Sequence, residues 1–245
     1  MPLLSAERIG VQFGGLRALD SVDIRCEAGQ VTGLIGPNGA GKTTMFNVIT
    51  GLQPPTTGNV LFDGEDITGK SPFRRARLGI ARTFQKLEAF SNLSAYDNVR
   101  VAAESRASWD RSRFDPRRVA AEMLDRVGIR DVADYMVGTL PTGTARLVEL
   151  ARALATNPRI LLLDEPSSGL NEEETGSLAV LLRALVDDGL AVLLVEHDMS
   201  FVMSTCHFLH VLDFGQLIAT GPPAEIQADE AVQAAYLGTK RKGAA

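Results

Sequence analysis

Three short stretches carry residues that could do chemistry. The first, Gly36-Pro37-Asn38-Gly39-Ala40-Gly41-Lys42-Thr43, has the spacing G-x-x-x-x-G-K-[ST]. Glycines let backbone N–H groups curl around a phosphate chain, and a helix N-terminus behind them adds positive potential. Lys42 reaches the β- and γ-phosphates of a nucleotide held this way, and the Thr43 hydroxyl binds Mg²⁺. The second stretch, Ile160-Leu161-Leu162-Leu163-Asp164-Glu165, reads as an apolar strand that delivers two acids at its end. Asp164 emerges beside the phosphate loop to serve the metal. Glu165 points differently, toward the γ-phosphate, where a carboxylate polarises an attacking water. The third, Val195-Glu196-His197-Asp198, places a histidine after another apolar strand. His197 is either a satisfied core histidine or a functional one. Adjacent residues diverge on an extended chain, which argues against a metal site built from these three.

These side chains need strands and helices to hold them. Val31 to Ile35 is a short apolar strand running into the glycine-rich loop, and a helix is expected from Lys42 to about Gly51. Ile160 to Leu163 and Leu190 to Val195 are continuous apolar runs, as parallel strands buried on both faces require. Between them a helix carries Leu178, Leu181, Leu182 and Leu185, with Glu172, Glu173 and Glu174 in its first turn. The N-terminal part alternates: Ile9, Val11 and Phe13 share one parity, as do Val22, Ile24 and Cys26. Gly14-Gly15 and Ala28-Gly29 mark turns there. Pro54-Pro55 and Thr57-Gly58 read as loop, and Val60 to Phe62 as a strand. From Pro72 to about Leu154 the pattern becomes helical. Ser71-Pro72, Ser94 with Asp97, and Asp115-Pro116 are helix starts. Ala120, Met123, Leu124 and Val127 line one helix face; Leu147, Leu150, Ala151 and Leu154 line another that stops at Asn157-Pro158.

Composition bounds the class. The chain has 245 residues, 45% hydrophobic and 22% charged, which excludes a disordered chain, a collagen and a coiled coil. Twenty-five Lys and Arg against 30 Asp and Glu give a net charge of −5, a poor balance for general nucleic-acid binding. Cys26 and Cys206 lack metal or redox spacing and read as reduced, buried thiols. No apolar run approaches the roughly 20 residues of a membrane span, and no signal-peptide core is visible. Any work at a membrane is therefore expected to be peripheral.

From Leu4 to Gly238 the chain resembles the nucleotide-binding subunits of ABC transporters. Leu163-Asp164-Glu165-Pro166 is similar to that family's extended Walker B motif, and Ser167-Ser168-Gly169-Leu170-Asn171 to its D-loop. Gln85 in Thr83-Phe84-Gln85 matches the Q-loop glutamine, and His197 the switch histidine. Phe13 falls where the family stacks an aromatic ring on adenine; its place at the end of an alternating strand also fits a core residue. The family's Leu-Ser-Gly-Gly-Gln signature becomes Leu140-Pro141-Thr142-Gly143-Thr144. Proline has no N–H to offer a phosphate, so Pro141 cannot donate. Thr142 and Thr144 hydroxyls are the donors available in its place, and a normal or a weakened loop both fit the residues.

Gly79-Ile80-Ala81-Arg82-Thr83-Phe84-Gln85, Leu163 to Asn171, Val195 to Met199 and Ala235-Tyr236-Leu237-Gly238 resemble the branched-chain (hydrophobic) amino-acid uptake ATPases, the LivG-like subunits. Lipopolysaccharide-export ATPases share the compact size but lack the Ala81-Arg82-Thr83-Phe84 run. The resemblance implies an α/β fold: a RecA-like P-loop NTPase core with an N-terminal antiparallel β subdomain, residues 1–86 and 158–238. A helical subdomain with the signature, residues 87–157, is expected as an insertion, and a frayed tail is expected over residues 239–245. It implies ATP and Mg²⁺ as ligands. Phe13, Gly36, Pro37, Asn38, Gly39, Ala40, Gly41, Lys42, Thr43 and Thr44 would bind nucleotide; Thr43, Gln85 and Asp164 the metal; Glu165, His197 and Gln85 would serve hydrolysis. Pro141, Thr142, Gly143 and Thr144 would act in trans on a second ATPase subunit, identical or paralogous. Membrane permeases would dock near Gln85 and residues 86–96, with a solute-binding protein engaged indirectly and no nucleic acid. The expected place is the cytoplasmic face of the cell membrane. An alternative is a regulatory subunit that dimerises on ATP but hydrolyses poorly, or the ATPase of another ABC system such as lipopolysaccharide export.

Overall fold

The computed structural model describes residues 1–237 and builds them around two sheets. Strands β1 (Leu4–Phe13) and β2 (Leu16–Cys26) form an antiparallel hairpin turned by Gly14-Gly15. Strand β3 (Val31–Ile35), buried along its whole length, leads to helix α1 (Lys42–Thr50). Strands β4 (Thr57–Phe62) and β5 (Glu65–Asp66) complete a four-stranded sheet in the order β2-β1-β4-β5. Helix α2 (Pro72–Arg77) and strand β6 (Ile80–Arg82) come next, then helices α3 (Ala95–Ala107), α4 (Pro116–Arg126) and α5 (Thr142–Ala155). The chain returns through β7 (Ile160–Asp164), α6 (Glu172–Asp187), β8 (Ala191–Val195), α7 (Met199–Thr205), β9 (Phe208–Asp213) and β10 (Gln216–Gly221). Helices α8 (Pro223–Ala228) and α9 (Glu230–Leu237) close it.

The second sheet has six strands in the order β10-β9-β3-β8-β7-β6. β9, β3, β8, β7 and β6 are mutually parallel, and β10 returns antiparallel on β9. Every residue of β3, β7 and β8 is buried, which accounts for their unbroken apolar runs. One apolar core joins this sheet to α3, α4, α5 and α6; another lies between the two sheets and takes Met45, Phe46, Val48 and Ile49 of α1. Cys26 and Cys206 are free and buried, and burial pushes both thiols up to about 12.

Several boundaries differ from expectation. Thr57 and Gly58 belong to β4 rather than a loop, because Thr57 pairs with Gly10 across the sheet. The helical middle is interrupted by β6, a three-residue strand too short to show a period, aligned on β7 with Arg82 opposite Leu162. Phe13 leaves the buried face that Ile9 and Val11 keep. Register shifts after Ile9 and Val11 turn the end of β1, and Phe13 is 48% exposed. The β9–β10 hairpin and the three short helices α7, α8 and α9 have no counterpart in the sequence reading. The expected tail, residues 239–245, lies outside the described residues.

Helix ends obey their sequence signals. Ser94 Oγ accepts from Asp97 N–H at α3, and Asp115 from Arg117 N–H at α4. At α6 a full capping box links Asn171 and Glu174, beyond the simple acidic first turn. The C-terminus of α1 is capped by a side chain from far along the chain. Arg75 is 1% exposed, and its guanidinium donates to the Val48, Ile49, Thr68 and Lys70 carbonyl oxygens. Arg75→Met keeps the apolar stem but removes the donor; Val48 O keeps the Gly51 N–H, and a buried acceptor left without a partner costs about 1–3 kcal/mol. A loss of about 2–3 kcal/mol, a melting fall of roughly 4–12 °C, is expected by calorimetry. An unchanged melting temperature would show that the guanidinium contributes nothing.

Candidate active site

The sheet gathers the three chemical stretches at one edge. Gly36 comes after β3, Gln85 after β6, Glu165 after β7 and His197 after β8, so all four leave the carboxyl ends of parallel strands. Between them opens a cleft of about 770 Å³. Asn38, Lys42, Thr43, Gln85, Asp164, Glu165 and His197 line it, with Phe13 and Phe214 among its aromatic residues.

The loop ahead of α1 requires glycine at its first position. Gly36 has φ +148, and a Cβ there would lie 1.9 Å from the Leu212 carbonyl oxygen. Lys42 is buried and folds back on the loop, its Nζ donating to Gly36 O at 2.6 Å and Pro37 O at 2.9 Å. Burial draws its ammonium below the ordinary lysine range, against the pull of Glu165 and Asp164. Thr43 and Thr44 continue the lining at the start of α1.

Asp164 is 4% exposed, and its Oδ2 accepts from Arg82 at 3.0 Å. Glu165 stands in the left-handed backbone region at φ +51, uncommon for a residue with a Cβ and typical of functional sites. Its carboxylate is tied at both oxygens: His197 Nε2 lies 2.6 Å from Oε1, and Gln85 Nε2 donates to Oε2 at 3.1 Å. His197 is 45% exposed and so is not a satisfied core histidine. Glu196, which the sequence offered only as an unfavoured metal ligand, is buried. It accepts from Ser167 N–H at 2.8 Å and His197 N–H at 3.0 Å, joining the loop after β7 to the loop after β8.

The altered signature lies elsewhere. Pro141 caps α5, and among the described residues none of Pro141, Thr142, Gly143 and Thr144 lines the cleft. Gly143 is buried against the loop before α6; a Cβ there would come within 2.6 Å of Leu170 Cδ2. Helix α5 reaches the strand-end region by other residues. Arg146 donates to Gln85 O at 3.1 Å and Arg152 to Glu88 O at 2.8 Å, while Glu149 accepts from Glu88 N–H.

The comparisons with known proteins bear on the chemistry. Residues 19–168 match the family described as ABC transporter. The chain belongs to the ABC transporter ATP-binding family. Residues 216–241 of this ABC subunit also match the family described as branched-chain amino acid ATP-binding cassette transporter. It is 39% identical to the high-affinity branched-chain amino acid transport ATP-binding protein BraF of Pseudomonas aeruginosa, over 97% of this chain and 98% of the relative. Two Escherichia coli proteins are each 36% identical with the same coverage: LivG, of branched-chain amino acid transport, and LptB, of lipopolysaccharide export. The ADP conformation of an ATP-binding cassette from an ABC transporter superposes with TM-score 0.88 at 31% identity, over 97% of this chain and 99% of that one. A cassette solved as a dimer bound to ADP and Pi superposes with TM-score 0.80 at 25% identity, covering 90% and 98%.

The donor set fits a nucleotide with a hard cation. A glycine loop, a helix N-terminus and a lysine suit phosphates, and the Thr43 hydroxyl and Asp164 carboxylate are oxygen donors of the kind Mg²⁺ prefers. Arg82, Asn47, Glu196, Phe214 and Gly215 are the parts that sequence reading missed. Phe214-Gly215 had a signal, a two-residue turn between apolar runs. Lys42→Ala removes a charge-assisted donor and is expected to weaken ADP and ATP binding about tenfold or more in a fluorescence titration. Unchanged affinity would remove the cleft from nucleotide binding.

Proposed function

We propose that this chain is the ATP-binding and ATP-hydrolysing subunit of an ABC importer for branched-chain or other hydrophobic amino acids. The Glu165 carboxylate, fixed between His197 and Gln85 beside Lys42 and Asp164, carries the reading of hydrolysis. A base that must aim at one water gains from a fixed orientation. The backbone N–H groups of Gly36, Asn38, Gly39, Ala40 and Gly41, with Lys42 and Thr44, would hold the phosphates, and Phe13 would cover adenine. Mg²⁺ would be held by Thr43, Asp164 and Gln85, and when bound it supplies neutralising charge at the phosphates. Glu165 would take the proton of the attacking water, and His197 would keep Glu165 oriented.

The placement of Pro141, Thr142, Gly143 and Thr144 outside the cleft supports a composite site that a second ABC ATPase subunit completes, a second copy or a paralogue. The dimeric relative bound to ADP and Pi supports the same assembly. We take residues 1–86 and 158–238 as the core and 87–157 as the helical subdomain. Permeases would dock near Gln85 and residues 86–96 from the membrane, placing this subunit peripherally at its cytoplasmic face. Among the described residues no helix is long and apolar enough to cross a membrane. Identity of 39% to BraF and the C-terminal match support amino-acid import. The 36% identity to LptB favours lipopolysaccharide export as a second reading.

Two measurements test the proposal. Glu165→Gln should retain ATP binding and cut turnover by about 10²-fold or more. Wild-type turnover would dismiss Glu165 as the base. Deleting the gene should abolish high-affinity uptake of labelled leucine, isoleucine and valine. Intact uptake with a defective outer membrane would favour the export reading.

A further inference from the structure

The run Ala81-Arg82-Thr83-Phe84 distinguishes this sequence, yet hydrolysis as proposed makes no use of its arginine. The structure gives Arg82 a place at the centre of the site. Its guanidinium is buried, with 6% of the side chain exposed, and so is the Asp164 carboxylate it meets at 3.0 Å, with 5%. A second arm of the fork donates to Asn47 Oδ1 at 2.6 Å, and Asn47 lies on α1, five residues after Lys42. Aromatic rings flank the cation: Phe46 of α1 at 5.2 Å and Phe84 at 4.9 Å from the guanidinium carbon. The backbone around Arg82 is tied to the same strand as the aspartate. Arg82 pairs with Leu162, Thr83 N–H donates to Leu162 O at 2.9 Å, and Thr83 Oγ1 accepts from Asp164 N–H at 3.4 Å.

We propose that Arg82 is a positioning residue for the divalent cation, holding Asp164 by Oδ2 so that Oδ1 is presented to the cleft at a fixed distance from α1. This inference rests on the reading of Asp164 as a metal ligand given above. The physical argument is one of geometry. A carboxylate at the end of a strand rotates about its last torsion, and a single anchored oxygen removes that freedom. The anchor itself must be fixed, and a planar guanidinium can serve two acceptors and two ring faces at once, which an ammonium cannot. Because the same fork holds Asn47, the aspartate is registered against the helix that carries Thr43, the other oxygen donor. The guanidinium charge opposes a cation nearby, so Arg82 acts against metal binding by charge and in favour of it by orientation. We assign the larger effect to orientation, since partners behind a metal ligand typically change affinity by about 10–100-fold.

The test separates these effects by binding rather than turnover. Mn²⁺ affinity is read by electron paramagnetic resonance with the ADP complex, and ADP affinity without metal is read in EDTA. With Arg82 intact, Asp164→Asn must abolish most Mn²⁺ binding; if it does not, the metal-site reading itself fails. Given that control, Arg82→Met and Arg82→Lys should each weaken Mn²⁺ binding about tenfold or more while changing ADP affinity in EDTA by less than about threefold. Lysine keeps the charge and loses the fork, so its failure to rescue marks geometry as the cause. Asn47→Ala leaves the ion pair and removes one anchor of the guanidinium, and a smaller Mn²⁺ loss is expected. It remains informative if the Arg82 variants do not fold. Mn²⁺ affinity that is unchanged or tighter in these variants overturns the proposal. So does an equal loss of ADP affinity in EDTA, which a merely structural role would produce.

Discussion

Parallel pairing of β6, β7, β8 and β3 is the constraint on which the site depends. Buried strands paired in this way end at a common level, and the loop after each strand is delivered to the same edge. Residues as far apart in sequence as Gln85, Glu165 and His197 therefore meet within hydrogen-bond distance. Nothing local brings them together. The apolar runs of β3, β7 and β8 matter for function because they hold these strands in the interior of the sheet, buried on both faces.

The legibility of each element depends on how strongly it signals itself. Strands β3, β7 and β8 and helix α1 could be placed within a residue or two, because unbroken apolar runs and a glycine-rich loop are unambiguous. The residues Lys42, Asp164, Glu165 and His197 could be singled out for the same reason: each sits at the end of such a run or loop. β6 could not be read, since three residues carry no period and its strand character comes from β7 beside it. Arg82, Asn47 and Glu196 stayed silent because their importance lies in burial with a distant partner, a property of the fold. The exposure of Phe13 likewise needed the irregular register of β1, which parity alone misassigns.

The signature helix shows how an altered motif can keep its surroundings. Pro141 offers no N–H, yet its carbonyl accepts from Ala145 N–H at 2.9 Å and so still starts α5. Further along the same helix, Arg146, Glu149 and Arg152 stand three residues apart and hold the backbone from Gln85 to Glu88. Helix α5 is thereby hydrogen-bonded to the segment whose Gln85 side chain donates to Glu165.

The two cysteines have a practical consequence. Both thiols are enclosed and pushed up to about 12, so near neutral pH almost none of either is thiolate. Alkylating and disulfide-forming reagents react with thiolate, and they should pass both positions by in the folded chain. The natural sequence is thus a quiet background for chemistry at introduced cysteines. Spectroscopic labels could be placed on the exposed loops without first removing Cys26 or Cys206 from the core.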